Sequence, residues 1–88
     1  MNVEFLERFG KDLDRISSKS TKQSVAKIIA QVEAAQKLSD IAQLKKLQGH
    51  KSAYRIRIGD YRIGFFFEKD LILFARVVHR KDIYQVFP

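Results

Sequence analysis

The stretch Tyr54-Arg55-Ile56-Arg57-Ile58-Gly59-Asp60-Tyr61-Arg62-Ile63 decides the fold. Its first five residues alternate bulky apolar side chains with arginine, the period of a half-buried strand. Gly59-Asp60 fits a two-residue hairpin turn with glycine in the first position. The chain then returns as a second strand, Tyr61 to Phe67. Such a turn fixes the register: Ile58 lies opposite Tyr61, Arg57 opposite Arg62, and Ile56 opposite Ile63. Tyr54, Ile56, Ile58, Tyr61, Ile63, Phe65 and Phe67 then share a covered face, and Arg55, Arg57 and Arg62 share the open one. Like charges placed directly opposite destabilise a hairpin by a fraction of a kcal/mol. An anion bridging the pair removes that cost, and so does splaying two solvated arginines apart. The pair alone fits both arrangements equally.

Downstream, Glu68-Lys69-Asp70 turns the chain again and Leu71 to Val78 reads as a third strand. Its chemistry offers a phase. Ile72, Phe74, Arg76, Val78 and Arg80 form one set, and Leu71, Leu73, Ala75, Val77 and His79 the other. Two arginines assign the first set to the open face, which requires a three-residue turn over 68–70. A bulge near Val77-Val78 would shift Arg80 independently. With this phase Arg55, Arg57, Arg62, Arg76 and Arg80 converge, interleaved with Phe66, Phe74 and Val78.

Upstream, Asn2 to Phe5 is a short edge strand. Leu6, Phe9, Leu13 and Ile16 then recur at helical spacing. Ser17 to Thr21 breaks the pattern, and Ser20 with Gln23 fits a capping box. A second helix of about 15 residues follows, with Val25, Ile28, Ile29 and Val32 on one face. The order is β-α-α-β-β-β. This is an α+β fold, with the helical hairpin packed on one face of an antiparallel sheet, and a single domain over 1–88.

The chain has 88 residues, no cysteine and one proline, and 45 % of its residues are apolar. A disulfide scaffold and a thiolate zinc site are excluded. No apolar run suits a signal peptide or a membrane span, so a cytoplasmic protein without membrane partners is expected. The formal charge is +7, and it is unevenly spread. Residues 1–44 carry seven basic and six acidic side chains, whereas residues 45–88 carry ten and four. A basic half on so small a domain implies a polyanion or an acidic partner.

His50 and His79 have no ligand spacing, the carboxylates are scattered, and no serine has a visible base. No metal or other cofactor is called for. RNA cleavage needs neither, because the 2′-hydroxyl is the substrate's own nucleophile. Fixed guanidiniums stabilise the charge that builds on the phosphate, and a tyrosine stacked on a base aligns the attack. Arginine is a poor proton acceptor near neutrality. That leaves His79, Tyr84 or alignment by a larger partner. Arginines with aromatic neighbours also suit simple binding of single-stranded RNA or of a docking peptide.

Three runs together resemble the RelE/ParE superfamily of bacterial toxins. They are Leu44-Lys45-Lys46-Leu47-Gln48-Gly49, Tyr54 to Ile63, and Val78-His79-Arg80-Lys81-Asp82-Ile83-Tyr84. Lys11-Asp12-Leu13 is similar to the family's N-terminal helix. The resemblance implies the toxin of a type II toxin–antitoxin pair. On the RelE side it implies metal-independent, ribosome-dependent cleavage of messenger RNA in the ribosomal A site. The family's catalytic positions fall on Arg55, Arg57, Arg62, Arg80 and Tyr84. Some relatives have lysine at the first strand positions, where a proton can be lost more easily than from arginine. Lys45, Lys46, Lys51, Arg76 and Lys81 are expected to contact RNA or the ribosome, and Phe66 and Phe74 an acidic or amphipathic antitoxin. Little room is left for a further C-terminal helix. The alternatives are a ParE-like inhibitor of DNA gyrase and a catalytically inactive RNA- or partner-binding module.

Overall fold

The computed structural model describes residues 1–88. β1 (Asn2–Phe5) leads into α1 (Glu7–Arg15) and α2 (Lys19–Ala34). A 3-10 turn (Leu38–Asp40) precedes β2 (Leu44–Lys46), β3 (Ala53–Ile58), β4 (Tyr61–Glu68) and β5 (Leu71–His79), and α3 (Ile83–Val86) follows. The five strands form one sheet in the order β1-β5-β4-β3-β2. β1 is an edge strand parallel to β5, and the other pairings are antiparallel. No helix is long and apolar enough to cross a membrane.

The β3–β4 hairpin has the register its turn dictates: Ile58 opposite Tyr61, Arg57 opposite Arg62, Ile56 opposite Ile63. Gly59 sits at φ 54°, a conformation only glycine adopts freely. Ile56, Ile63 and Phe65 are fully buried beneath the helices with Phe9, Ile16, Val25 and Val32, and Tyr54, Ile58, Tyr61 and Phe67 pack against them. Ser18, not Ser20, caps α2: its hydroxyl accepts a hydrogen bond from the Thr21 N–H at 3.2 Å.

The third long strand departs from its expected phase. The β4–β5 turn has two residues, Lys69 and Asp70, both with positive φ. Phe65 is therefore paired with Phe74, and Phe67 with Ile72. Ile72 and Phe74 lie in the core at 0 % exposure rather than on the open face. A bulge then shifts the ladder between Gly64 and Phe65: Gly64 pairs with Arg76, and Ala75 is the extra residue. Past the bulge, Val77 joins the helix-side core, and Val78 packs on the other side of the sheet.

Arg76 is thereby turned away from the other arginines. Its Nε and Nη2 donate to the two carboxylate oxygens of Asp12 on α1, at 2.7 and 3.0 Å. Asp12 also accepts the Val77 N–H at 3.1 Å and is only 6 % exposed. This bidentate pair clamps α1 to the unpaired part of the β5 edge, beyond the reach of β1.

A second, smaller core occupies the other side of the sheet. It joins Leu47, Ala53, Ala75, Ile83 and Phe87, with Phe66, Val78 and Val86 packed against them. The single turn of α3 is thus a seated element, where the sequence left little room for one. β2 is likewise an addition to the expected order: the 44–46 segment pairs with β3 and is not a loop.

Candidate nucleic-acid interface

The face of the sheet away from α1 and α2 is divided. α3 and Phe87 cover one part, and the part beside the β3–β4 turn carries the arginines. Arg57 and Arg62 stand opposite each other across the hairpin. Arg62 is anchored from below, its Nη1 donating to the carbonyls of Gly59 at 2.8 Å and Tyr61 at 2.9 Å. Arg80 follows β5, and its backbone N–H donates to the Asp60 carbonyl at 2.7 Å. That bond fixes the Arg80 backbone against the hairpin turn while its side chain stays 59 % exposed, 4.0 Å from the Asp60 carboxylate.

Tyr84 reaches the same group from α3. Its hydroxyl accepts a hydrogen bond from Arg55 Nε at 3.4 Å, and its residue is 61 % exposed. Its backbone is held down on either side by Ile83 and Phe87, at 0 % and 3 % exposure. Phe87 lies directly over Gly64: a Cβ there would fall 2.6 Å from the ring. Gly64 also faces Arg55 across the ladder, so the ring seat and the arginine it serves are adjacent.

The grouping has an electrostatic consequence. The Arg62 guanidinium is held below its ordinary pKa, first by burial and then by the fields of Arg55, Arg57 and Arg80, while Tyr84 acts in the opposite sense. Three further cations acting on Arg62, with no carboxylate offsetting them there, leave a potential well for an anion. All five side chains expected at the catalytic positions are brought together.

The remaining expected contacts are distributed. Lys45 pairs with Arg55 across β2–β3 and so shares the arginine face. Lys46 is one residue on and points to the helix side. Lys51 is exposed in the loop between β2 and β3, and Lys81 is exposed in the turn before α3. Arg76 does not join them, because it is committed to Asp12. Phe74 is core and offers no docking surface. Phe66 is half-buried, its ring 5.1 Å from that of Phe87. With Leu71 and Leu73 it lines a hollow of about 470 Å³ at the far end of this face.

His79 is the last residue of β5. Its ring lies edge-on to Tyr61 at 5.8 Å on the helix side, and its Nδ1 accepts the Lys81 N–H. It is therefore turned away from the arginines, and His50 is an exposed loop residue. No three histidine or carboxylate side chains come together in a way that could hold a metal ion. Gly64 and Phe87 escaped the sequence reading as parts of this site. A glycine inside a strand otherwise rich in phenylalanine was the available signal, since it marks a bulge or a close approach.

Comparison with known proteins agrees over the whole chain. The family model described as "ParE toxin of type II toxin-antitoxin system, parDE" matches residues 3–84. Toxin RelE3 of Methanocaldococcus jannaschii is 40 % identical over 89 residues, spanning all of both chains. The toxin–antitoxin complex RelB-RelE from Methanococcus jannaschii includes a chain of 37 % identity and TM-score 0.81, with 96 % of this chain and 98 % of that one covered. The archaeal RelE-RelB complex of Pyrococcus horikoshii shares the fold at TM-score 0.72 and 20 % identity, over 93 % and 97 % of the two chains. With matches of this length in sequence and backbone alike, the chain belongs to the RelE/ParE superfamily of toxins of type II toxin–antitoxin systems, and it is RelE-like.

Proposed function

We propose that this toxin is a ribosome-dependent endoribonuclease that cuts messenger RNA in the A site and so inhibits translation. The observation that carries the reading is the grouping of Arg55, Arg57, Arg62 and Arg80 with an exposed Tyr84 tied to Arg55. In the reaction the RNA 2′-oxygen bonds to the adjacent phosphorus and the bond from phosphorus to the 5′-oxygen breaks. The 2′-hydroxyl loses its proton and the departing 5′-oxygen gains one. The guanidiniums neutralise the phosphoryl oxygens as charge builds on them. Arg62 and Arg80 are the best fixed of the four, through backbone carbonyls and the hairpin turn respectively. Tyr84 stacks on a base beside the cleaved bond and orients the attack.

No imidazole faces the arginines, and the carboxylate at the rim, Asp60, is paired with Arg80. The protein's contribution is thus electrostatic and orientational, and the proton leaves to solvent or to RNA groups. A site of this kind depends on a substrate held in line from outside, which is what a ribosome offers an A-site codon. The partner that restrains the toxin is an antitoxin with acidic side chains over the arginine face and an apolar anchor in the Phe66–Leu71–Leu73 hollow. Charge complementarity of that kind also speeds the encounter.

The test is induced expression of wild type, Arg80→Ala and Tyr84→Ala in cells, with growth followed and messenger RNA ends mapped by primer extension. Growth arrest with cuts inside translated codons, lost in both variants, supports the proposal. Arrest with intact messages and DNA damage points instead to gyrase. No arrest from soluble, folded protein leaves a binding module.

A further inference from the structure

Arg80 opens the three-residue junction between β5 and α3, and Tyr84 lies two residues past its end. The shape of so short a junction decides how these two side chains stand to each other. α3 does not fix its own start: Asp82, at its N-cap, makes no side-chain cap hydrogen bond, and one helical turn has little stability of its own. The junction is set from outside. Its three backbone N–H groups are all taken: that of Arg80 by the Asp60 carbonyl at 2.7 Å, that of Asp82 by the His79 carbonyl at 2.8 Å, and that of Lys81 by His79 Nδ1 at 3.1 Å. The last is the one side-chain acceptor among them. Nδ1 stands one bond beyond Cγ, where asparagine carries its side-chain oxygen, and an acceptor there that takes the N–H two residues on makes an Asx-type turn. The imidazole adds a ring. It packs edge-on to Tyr61, its partner across the β4–β5 ladder, with centroids 5.8 Å apart and planes at 68°. The Tyr61 carbonyl in turn accepts from Arg62 Nη1. One half-buried side chain therefore joins the hairpin that holds Arg62 to the junction that carries Arg80 and leads to Tyr84.

We infer that His79 is a positioning residue of the site: its Nδ1, as an acceptor, sets the 80–82 junction and so places Tyr84 relative to Arg80 and Arg55. It acts through these residues and touches no substrate, because its ring lies on the helix side of the sheet. It takes no proton in the reaction, and with Nδ1 accepting, the ring's own proton sits on Nε2. The consequence for cleavage rests on the proposed function; the geometric consequence does not. Packing alone does not account for histidine here. An apolar ring of similar size would cover Tyr61 equally and would leave the Lys81 N–H to water. A short amide would restore the acceptor and give up the ring. Two substitutions therefore separate the two roles of this side chain.

The test compares the full wild-type chain with His79→Phe, which keeps a ring against Tyr61 and loses the acceptor, and His79→Asn, which keeps the acceptor and loses the ring. Thermal melts rank their stability. Amide exchange at Lys81 reads the turn, and nuclear Overhauser contacts between the Tyr84 ring and the Arg55 side chain read the site. In His79→Phe the Lys81 amide should exchange about fivefold faster, as for one ordinary hydrogen bond lost, and the Tyr84–Arg55 contacts should weaken. His79→Asn should keep both while melting lower than His79→Phe. Single-turnover cleavage on programmed ribosomes should follow the acceptor and not the melt. His79→Phe should be slower by roughly 10- to 100-fold in maximal rate, with the toxin concentration for half-saturation little changed because the arginines are intact. His79→Asn should recover most of that rate. In wild type, nitrogen-15 spectra of the ring in mildly alkaline buffer should show the proton on Nε2. A protonated Nδ1, unchanged Lys81 exchange in His79→Phe, wild-type cleavage by His79→Phe, or cleavage as slow in a folded His79→Asn as in His79→Phe would each overturn the inference. A purely structural role predicts that last result, with activity ranked by melting temperature. If the wild type cuts no message, the ribonuclease proposal fails by itself, and Lys81 exchange, the Tyr84–Arg55 contacts and the ring spectra still decide the role of His79.

Discussion

Gly64→Ala is the substitution that isolates how the C-terminal turn serves the site. The backbone there is ordinary strand, so alanine itself is tolerated; the difficulty is the ring above it. The new methyl would lie 2.6 Å from Cγ and Cδ2 of Phe87 and 2.8 Å from Cε2, against 3.4–4 Å for ordinary contact. The ring must therefore retreat by close to an ångström, and it is 3 % exposed within the five-residue second core. Overpacking of this kind costs about 1–3 kcal/mol. Releasing the ring into water costs a similar amount, about 1.5–3 kcal/mol. Either route lowers the melting temperature by roughly 8–16 °C for about 2 kcal/mol in a domain of this size. The helix-side core, which includes Ile56, Ile63, Phe65 and Phe74, is not involved, so the protein stays folded at 25 °C. Tyr84 fares worse. It rides on a four-residue turn whose anchors are Ile83 and Phe87, and a displacement near 1 Å in a positioning group costs on the order of 100-fold in rate. Cleavage on programmed ribosomes, measured at 25 °C under single turnover, should fall by about that factor. Adding Phe87→Leu should restore part of it by clearing space over the methyl. Wild-type cleavage by Gly64→Ala, with or without a lowered melt, would falsify the claim that the Phe87 seat positions Tyr84.

Other outcomes follow from the same geometry. Arg57→Gln should raise stability by about 0.5 kcal/mol, seen as a melt higher by roughly 2–4 °C at low salt, because it relieves the cross-strand repulsion with Arg62; the same variant should cleave less, and high salt should erase the stability gain. Arg80→Ala should leave the melt within about 2 °C, since its side chain is exposed and its ion pair with Asp60 is loose, while cleavage is lost. Asp12→Ala strands Arg76 against the β5 edge and should destabilise by about 3 kcal/mol in denaturant titration, with cleavage retained wherever the chain is still folded. Tyr84→Phe keeps the ring and loses only the 3.4 Å bond from Arg55, so it should cleave within about tenfold of wild type, far above Tyr84→Ala.

The sequence was most legible where local chemistry over-determines geometry. Gly59-Asp60 sets the turn, the turn sets the register, and the alternation around it sorts seven apolar side chains from three arginines. The family resemblance agreed with that hairpin and extended it to Arg80 and Tyr84, which the fold brings into the same group. β2 and α3 were invisible to periodicity because three and four residues are too few to show a period; each exists through tertiary contact, β2 by pairing with β3 and α3 by the second core. β5 misled for a different reason. It is an interior strand with cores on both sides, so nearly every position is apolar and the two arginines became the only phase markers. That inference presumed that an arginine on a strand faces water. Arg76 instead reaches a buried carboxylate on α1, and the extra residue Ala75 lets it do so while Val78 and the following Arg80 still fall toward the open face. The bulge thus resolves an otherwise incompatible demand: Phe74 must lie in the helix-side core, yet the residues just beyond it must supply both an α1 clamp, at Arg76, and the approach to a cationic site. Gly64 meets both needs from the neighbouring strand. Its missing side chain sits beside the bulge and gives Phe87 its place, so the irregularity that defeats pattern reading is also what seats the turn carrying Tyr84.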